Sequence, residues 1–556
     1  MIRGVYLNVS EAGGVRDLFR MSGIVGPWCE QEAQDVLTVI EHEGITSICA
    51  GTTDGMSVPI DPLGSQAASS IPMPATIVVG RPVGSSATLS FPSYHCLHRE
   101  LVPKKWPDSE RVLVVRETGQ TVALAGKWNN KPILHLGFSL SRFMHAVREQ
   151  HCFFGFGHLV HCLNWWVEKY LEGRVLRISP WFRGRHPALL SFDVEGMVSR
   201  RSVGRCVLRL PPIHRPLLEI NQLKLIRPLR GKRIICSCNE LIDPDGVHTS
   251  HRLTFDFRRG RRGCAARHHT ITQWQLHFRL PQRPPAKPTD DPGFHDWAET
   301  LSAPIMMFYC GGIPDRAVHR MEIGFHGLTH EHFHQMPYSR LREELQSGAC
   351  LFGARPTLRA IRAPGLLWSD AYFAALAGAG YAVDSSFREI SATQPIFPIR
   401  TTEGWWELPV TGNLLTLPKL ESLITSSLSS GSMLNLHCHD HEVREVDAKK
   451  RYTERVQVLK DAGLYCMGHI EFVEWLNRAS ENTIWAIERI SDSRWRAVVD
   501  VIPGSAVLWP RGMRCDQVAH EDRAAGKSHE MSVLYHAGRT SLEMRPLLHQ
   551  HAPTSR

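Results

Sequence analysis

The sequence predicts an α/β protein of several domains, and three observations carry that expectation. At 556 residues the chain is too long for one ordinary core, so two to four domains are expected. Short apolar or alternating runs, bounded by Gly, Pro and Asn, alternate with segments of helical periodicity from Gly4 onward and again from His295. Between and after these regions lie stretches of period-2 alternation that read as β structure alone. The expected division is an α/β domain over 1–187, a second α/β region over 188–480 with a β-rich insert at about 198–293, and a small β domain over 481–556.

In the first region, strands are expected at 4–9, 45–50, 75–79, 111–116, 121–125 and 133–136, with a helix at 32–43. Alternating strands and helices suggest a mainly parallel sheet. Residues 189–193 form a short apolar strand that ends in acid. The insert shows alternation at 217–226, 232–237, 252–257 and 270–280, with Asp243-Pro244-Asp245-Gly246 as a turn, so an antiparallel module is expected. Pro281 to Pro292 reads as a linker. Helices are then expected at 295–301, 314–320, 370–379 (capped by Gly380), 456–462 and 471–478, and strands at 305–310, 322–326 and 434–439. Five further strands, at 483–488, 495–501, 506–509, 532–536 and 541–546, make the terminal β domain.

Bulk properties exclude few functions. The net charge of +9 is modest, and arginine crowds between Arg200 and Arg283, which reads as a solvated basic surface. Neither a stacking motif nor a known nucleic-acid fold accompanies it, so no nucleic-acid partner is expected. The 14 cysteines are scattered; Cys236 and Cys238 form the one close pair, which is neither a zinc-ribbon spacing nor a disulfide framework. Reduced thiols, and no basic-then-apolar start over residues 1–10, give a cytoplasmic expectation. The most apolar stretch, 151–171, is broken by His158, His161 and Asn164 and is too polar to span a bilayer.

The chemistry sits in two distant stretches, Asp193-Val194-Glu195 and His326-Gly327-Leu328-Thr329-His330. On a turn or helix, imidazoles four apart can face one way. Two imidazoles and one carboxylate make the three protein ligands of a divalent metal with an open position, and zinc is the expected ion. Asp193 and Glu195 share one side of a strand, so one can bind metal while the other takes a proton from water whose pKa the metal lowers.

The order of motifs resembles that of the NodB-homology polysaccharide deacetylases. Ser191-Phe192-Asp193-Val194-Glu195-Gly196 is similar to the family's first motif, and His326 to His330 to its His-x-x-x-His motif. Arg362-Ala363-Pro364, Asp384-Ser385 and Leu434 to His439 resemble the third, fourth and fifth. The resemblance covers 188–193 and about 297–478. It implies a distorted (β/α) barrel with its site at the C-terminal strand ends. It also implies a metal-dependent hydrolase that removes N-acetyl groups from an amino-sugar polysaccharide or lipid-linked sugar. By that resemblance Asp193 is the base, and Glu195, His326 and His330 hold the metal. Arg362 orients the base through a bidentate pair, Asp384 holds the acid histidine, and His439 or His437 is that acid, with His439 preferred. Val194 stands where many members carry the metal-binding Asp, so the ligand role moves to Glu195, and the insert replaces a single helix. A deformylase or cyclic-amide hydrolase of the same fold, or a carbohydrate-binding protein without catalysis, remains as an alternative.

The other residues are read plainly. The first region faintly resembles amidotransferase-like folds, but Cys49 lies in Ile-Cys-Ala-Gly, without a nucleophile's glycine-flanked elbow, and reads as a buried thiol. Trp405 and Trp406 read as core aromatics, and His332 and His334 as groups behind or beside the ligands.

Overall fold

The computed structural model describes residues 1–42, 44–52, 109–115, 121–153, 155–171, 174–195, 292–311, 321–328, 330–351, 358–388, 395–510, 513–515, 531–534 and 538–546, together with the backbone of strands 76–79, 87–90, 207–210, 233–237, 251–256 and 274–279. These residues form a mixed α/β protein whose strands gather into five sheets.

The sheet that positions the site is built around Pro187–Val194, buried along its whole length. Pro-Ala-Leu-Leu-Ser-Phe-Asp-Val is the near-continuous apolar run of a parallel strand covered on both faces. Its alternation still sorts the side chains. Ala188, Leu190, Phe192 and Val194 pack with Phe294 and Ala298, Leu423 and Ile424, and Tyr452 and Val456. Those partners come from helices Pro292–Thr300, Leu420–Ser430 and Val446–Asp461. Leu189 faces the other way, with Met306, Phe308 and Phe325. Ser191 and Asp193 share that second face by the period of two.

From Pro187–Val194 the sheet runs one way through Met306–Tyr309, Glu322–Phe325, Ala360–Ile361, Val383–Asp384 and Trp406–Glu407 to Ile399–Arg400. The other way it passes to Leu434–His439 and Gly412–Asn413, with Tyr465–Met467 also on the central strand. All these pairings are parallel except that of Ile399–Arg400. One stretch of backbone touches both arms. Trp406 and Leu408 donate to the carbonyls of Ala382 and Asp384, and Thr411 and Leu414 to those of Asn435 and His437. Register brings the strand ends level, with Asp193 opposite both Phe308 and His439, Phe308 opposite Gly324, and Ile361 opposite both Phe325 and Asp384. The residues just past these ends form one edge.

The first region departs from expectation. Its sheet has the order Trp28–Cys29, Gly4–Asn8, Val36–His42, Ile45–Ala50, Lys131–Leu136, Thr121–Trp128, Glu110–Val115, Thr76–Val79, Ala87–Ser90. Only the first two pairings are parallel. The helix expected at 32–43 is the strand Val36–His42, in a hairpin with Ile45–Ala50. Val36, Thr38, Val39 and Ile40 are β-branched, which favours a pleated strand, and Gly44 at φ +80° allows the tight turn. Three helices cover this sheet: Ala12–Met21, Leu140–Glu149 and Phe156–Tyr170. Their buried side chains share one apolar core with Phe373, Trp405, Trp406, Phe472 and Trp475 of the site-bearing region.

The insert is a four-stranded sheet, Val207–Leu210, Trp274–Arg279, His251–Asp256, Arg233–Ser237. It is not wholly antiparallel, because His251–Asp256 and Trp274–Arg279 pair in parallel. The strand expected at 217–226, the helix at 314–320, and Cys238 lie outside the described residues. The last strands form two small sheets. Arg494–Val501 pairs with Thr483–Ser491 and Gly538–Pro546, and Ser505–Leu508 pairs with Met531–Leu534 and Arg177–Ile178. Their core takes in Val25, Leu176 and Ile178, so these strands are built onto the first region. No helix among the described residues is long and apolar enough to cross a membrane.

Gly157 marks a close approach between regions, since a Cβ there would overlap the backbone carbonyl of Pro395. Gly157→Ala is expected to cost about 1–3 kcal/mol through overpacking. Gly378→Ala, where a Cβ meets nothing within 4 Å, should be neutral or stabilising. Urea unfolding of both variants checks the difference.

Candidate metal centre

Arg362, just past Ala360–Ile361, is the hub of the strand-end edge and is fully buried. Its Nη1 donates to Asp193 Oδ1 and to Ser191 Oγ, both at 2.8 Å. Its Nε donates to the Ser385 carbonyl at 2.9 Å and its Nη2 to Ser385 Oγ at 2.8 Å. The ring of Phe308 lies 4.3 Å from the guanidinium carbon. The expected bidentate pair is therefore not formed. One nitrogen reaches both Asp193 and Ser191, and the other two are spent on Ser385.

Burial pushes the Asp193 carboxyl up, but Arg362 and then His326, His437 and His439 outweigh it and hold it well below the ordinary carboxylate range. Asp193 is thus ionised at any working pH. Its Oδ1 is taken, and its Oδ2 lies 3.9 Å from His326 Nε2.

His326 and His330 stand in a loop after Glu322–Phe325, not on a helix. Gly327 at φ +88° and His330 at φ +54° bend that loop, and the left-handed backbone at a histidine is strain that the surroundings hold. The Leu328 N–H donates to Glu344 Oε1 at 2.6 Å, and the His326 N–H to the Tyr309 carbonyl at 2.8 Å. His326 Nδ1 lies 2.8 Å from the Arg362 carbonyl, which can only accept, so Nδ1 carries the proton and Nε2 presents a lone pair. Burial, against Asp193, brings His326 down to about 4, so it is neutral.

Glu195 follows the end of Pro187–Val194, with its N–H donating to Asp440 Oδ1 at 3.2 Å. Its Oε1 lies 3.0 Å from His330 Nε2 and 3.8 Å from His439 Nε2. Burial raises the Glu195 carboxyl, but His330, His439 and His326 bring it to about 2.

The ligand atoms of Glu195, His326 and His330 all lie within 4.8 Å of one another. Three features fit a cation there: an anionic carboxylate, a neutral imidazole whose other nitrogen is fixed by a carbonyl, and a buried His326 Nε2 without a hydrogen-bond partner among the described residues.

The two strand histidines separate in environment. Burial brings His437 down to about 3, and its Nδ1 finds no partner among the described residues. His439 is more open, with its Nδ1 3.1 Å from Glu442 Oε2 and its Nε2 toward Glu195. Burial lowers His439, but the Glu442 hydrogen bond and the charges of Asp193 and Glu195 raise it to about 9. Glu442 Oε2 also accepts from Asn413 Nδ2 at 2.6 Å, the His439 N–H at 2.8 Å and Cys438 Sγ at 3.2 Å. His439, His441 and Glu442 form a second close group. With Glu442 Oε2 so fully engaged, we read that group as orienting His439.

Asp384 does not take the expected place beside the acid histidine. Its Oδ1 accepts from Tyr372 at 3.0 Å and from Ser386, and it pairs with Glu407 across the parallel strands. Both carboxyls are buried and pushed up by that burial, and the charge of Asp384 adds to the effect on Glu407. The carboxylate on His439 is Glu442, for which the spacing His439-Asp440-His441-Glu442 was a usable signal. Glu407 and Tyr372 left no such trace. Cys49 is buried, with its thiol pushed to about 12 by burial and then by Glu32, which suits an inert core group. Trp405 and Trp406 are core aromatics, the former stacked on His151 and Phe373.

No family model and no curated protein matches the chain. Solved structures that match about a third of it are polysaccharide deacetylases and family 4 carbohydrate esterases, with an allantoinase among them. A Mycobacterium smegmatis chain assigned to the polysaccharide deacetylases is 18% identical over 34% of this chain and 76% of its own, with a TM-score of 0.26. The Xyl-CE4 domain of a multidomain xylanase from the hindgut metagenome of Trinervitermes trinervoides is 13% identical over 34% and 85%, with a TM-score of 0.24. Puue allantoinase is 10% identical over 33% and 70%, with a TM-score of 0.27. At these scores the likeness says nothing of substrate, and the chemistry rests on the side chains.

Arg362→Met would leave Asp193 buried without its countercharge. The expected loss is about 3–5 kcal/mol in denaturant unfolding, the cost of breaking a buried pair from one side.

Proposed function

We propose that this protein is a metal-dependent hydrolase that removes N-acetyl groups from an amino-sugar polysaccharide. The observation that carries this reading is the meeting of Glu195 with His326 and His330, from stretches more than a hundred residues apart, beside an ionised Asp193. A divalent cation held by these three, zinc by the chemistry of two imidazoles and a carboxylate, would polarise the amide carbonyl and make water easier to deprotonate.

The chain's own residues supply the rest. Asp193, through Oδ2, accepts the proton that water loses as its oxygen attacks the carbonyl carbon. Arg362 holds Asp193 by Oδ1 and keeps it charged. His439 carries a proton at neutral pH, and Glu442 fixes its Nδ1. The Nε2 proton passes to the amine nitrogen as the C–N bond breaks and acetate leaves. His437, neutral and buried, is the weaker candidate for that step. Asp384, with Glu407 and Tyr372, supports Ser385 and Ser386 behind Arg362 and acts by positioning.

The pairing of segment 406–414 with both arms of the sheet supports reading it as a distorted (β/α) barrel, with the site at the C-terminal strand ends. We assign the barrel to 188–480, the insert to about 198–293, and the flanking units to 1–187 and 481–556.

Acetate release from chitin oligomers or acetylated exopolysaccharide is expected, abolished by a chelator and restored by zinc. Asp193→Asn should lose activity by a factor of about a hundred or more while keeping metal, as removing a general base does. Glu195→Gln should weaken zinc affinity by about a hundredfold in a direct titration. Full zinc occupancy in Glu195→Gln, or acetate release undiminished in Asp193→Asn, would overturn the assignments.

The pH profile offers a separate check. Because His439 is raised to about 9, the activity needing its proton is full at lower pH and falls as pH rises through that value. Glu442→Gln removes the main raising contact, so the alkaline limb should move down toward the ordinary imidazole value of 6.5. Rates measured from pH 5 to 10 in both proteins test this, and an unmoved limb would remove His439 from the acid role.

A further inference from the structure

The far side of the His439 ring carries donors that the proposed hydrolysis does not use. Leu434–His439 passes directly into one tight turn, Asp440–Val443. Residues three apart on such a turn lie over one another, which returns Glu442 to the His439 ring. Nδ1 of His439 lies 3.1 Å from Glu442 Oε2, and the ring centroids of His439 and His441 are 5.0 Å apart. One ligand atom from each of His439, His441 and Glu442 lies within 4.8 Å of the other two.

Orienting His439 leaves part of this group uncommitted. Glu442 Oε2 is engaged four times, but no hydrogen bond among the described residues reaches Oε1. His441 Nδ1 is buried and has no hydrogen-bond partner among them, Asp440 Oδ1 being 3.9 Å away. Two imidazoles and a carboxylate are a donor set that zinc accepts. The side chains of His439, His441 and Glu442 are 28%, 34% and 25% exposed, so a cation can reach them from solvent. Nε2 of His439 faces Glu195 Oε1 at 3.8 Å, whereas Nδ1 faces Glu442. A cation on Nδ1 therefore stands across the ring from one held by Glu195, His326 and His330.

We propose that His439, His441 and Glu442 form a second divalent-cation site, weaker than the first, and that zinc in excess fills it and stops the hydrolysis. Zinc takes the Nδ1 lone pair in place of the proton that Glu442 accepts there, and that proton leaves to solvent. The ring is then neutral. Its remaining Nε2 proton could leave only by forming an imidazolate, so it no longer protonates the amine. Repulsion from the cation across the ring makes the second site the weaker. The inhibition rests on the acid role given to His439 above, and the binding does not.

The test is zinc titration of the full chain by equilibrium dialysis. The chain has 30 histidines, so stoichiometry alone does not identify a site and a variant must. Beyond one tight zinc per chain, a second should bind, and His441→Ala should weaken only that second one by about tenfold or more. Glu195→Gln should weaken the tight zinc and spare the second. Exchange of the imidazole carbon-2 hydrogens, read by peptide mass spectrometry on the unmodified protein, is independent of any variant. His326 and His330 should slow with the first equivalent, and His439 and His441 only with the second. Acetate release should fall as the second zinc binds, and the zinc concentration that halves it should rise about tenfold in His441→Ala. A second zinc undiminished in His441→Ala, or unslowed exchange at His439 and His441, would overturn the site. Undiminished acetate release with the second zinc bound would overturn the inhibition. If no acetate is released at any zinc concentration, the hydrolysis and its inhibition both fall, while dialysis and exchange still decide the site.

Discussion

The buried guanidinium of Arg362 is the interaction on which the rest of the site depends. It enters from one strand, pairs with Asp193 on a second, and ties both to Ser385 beyond a third. Its backbone carbonyl fixes the tautomer of His326, so the same residue sets the charge of Asp193 and the lone pair of His326. A cation at this depth is tolerable only because each of its nitrogens has a partner and a carboxylate balances it. Asp193 can therefore remain an anion in an otherwise dry interior.

Around that centre the histidines differ by what lies behind them. His326 and His437 are buried and neutral, whereas His439 faces outward with Glu442 at its back and stays charged. Residues two apart on one strand share a face yet reach different depths at its end. Strand alternation alone could not distinguish His437 from His439, and a carboxylate three residues further on does.

How much was legible follows from range. Local patterns gave Asp370–Ala379 with its Gly380 cap, Leu434–His439 and most strands of the last region. The meeting of Glu195, His326 and His330 was legible because imidazoles and carboxylates have few other reasons to recur in that order. Strand direction was not legible, since an alternating run looks the same whether its neighbour is parallel or antiparallel, and Val36–His42 reads as part of a helix rather than as a strand at all. Nor was the Asp384–Glu407 pair, which exists only through register between strands. The expectation that Asp384 would serve a histidine failed for that reason, because an unseen neighbour had already claimed it.

The dipeptide Trp406-Glu407 belongs to two compartments at once. Successive side chains of a strand leave on opposite faces, so the indole packs in the core shared with the first region while the carboxyl lies against Asp384. The backbone of these two residues is thus part of the partition between that core and the buried carboxyls of Asp384 and Glu407. A sub-ångström shift of this partition would be transmitted without any intervening linker, and substitutions on its two sides should not be energetically independent.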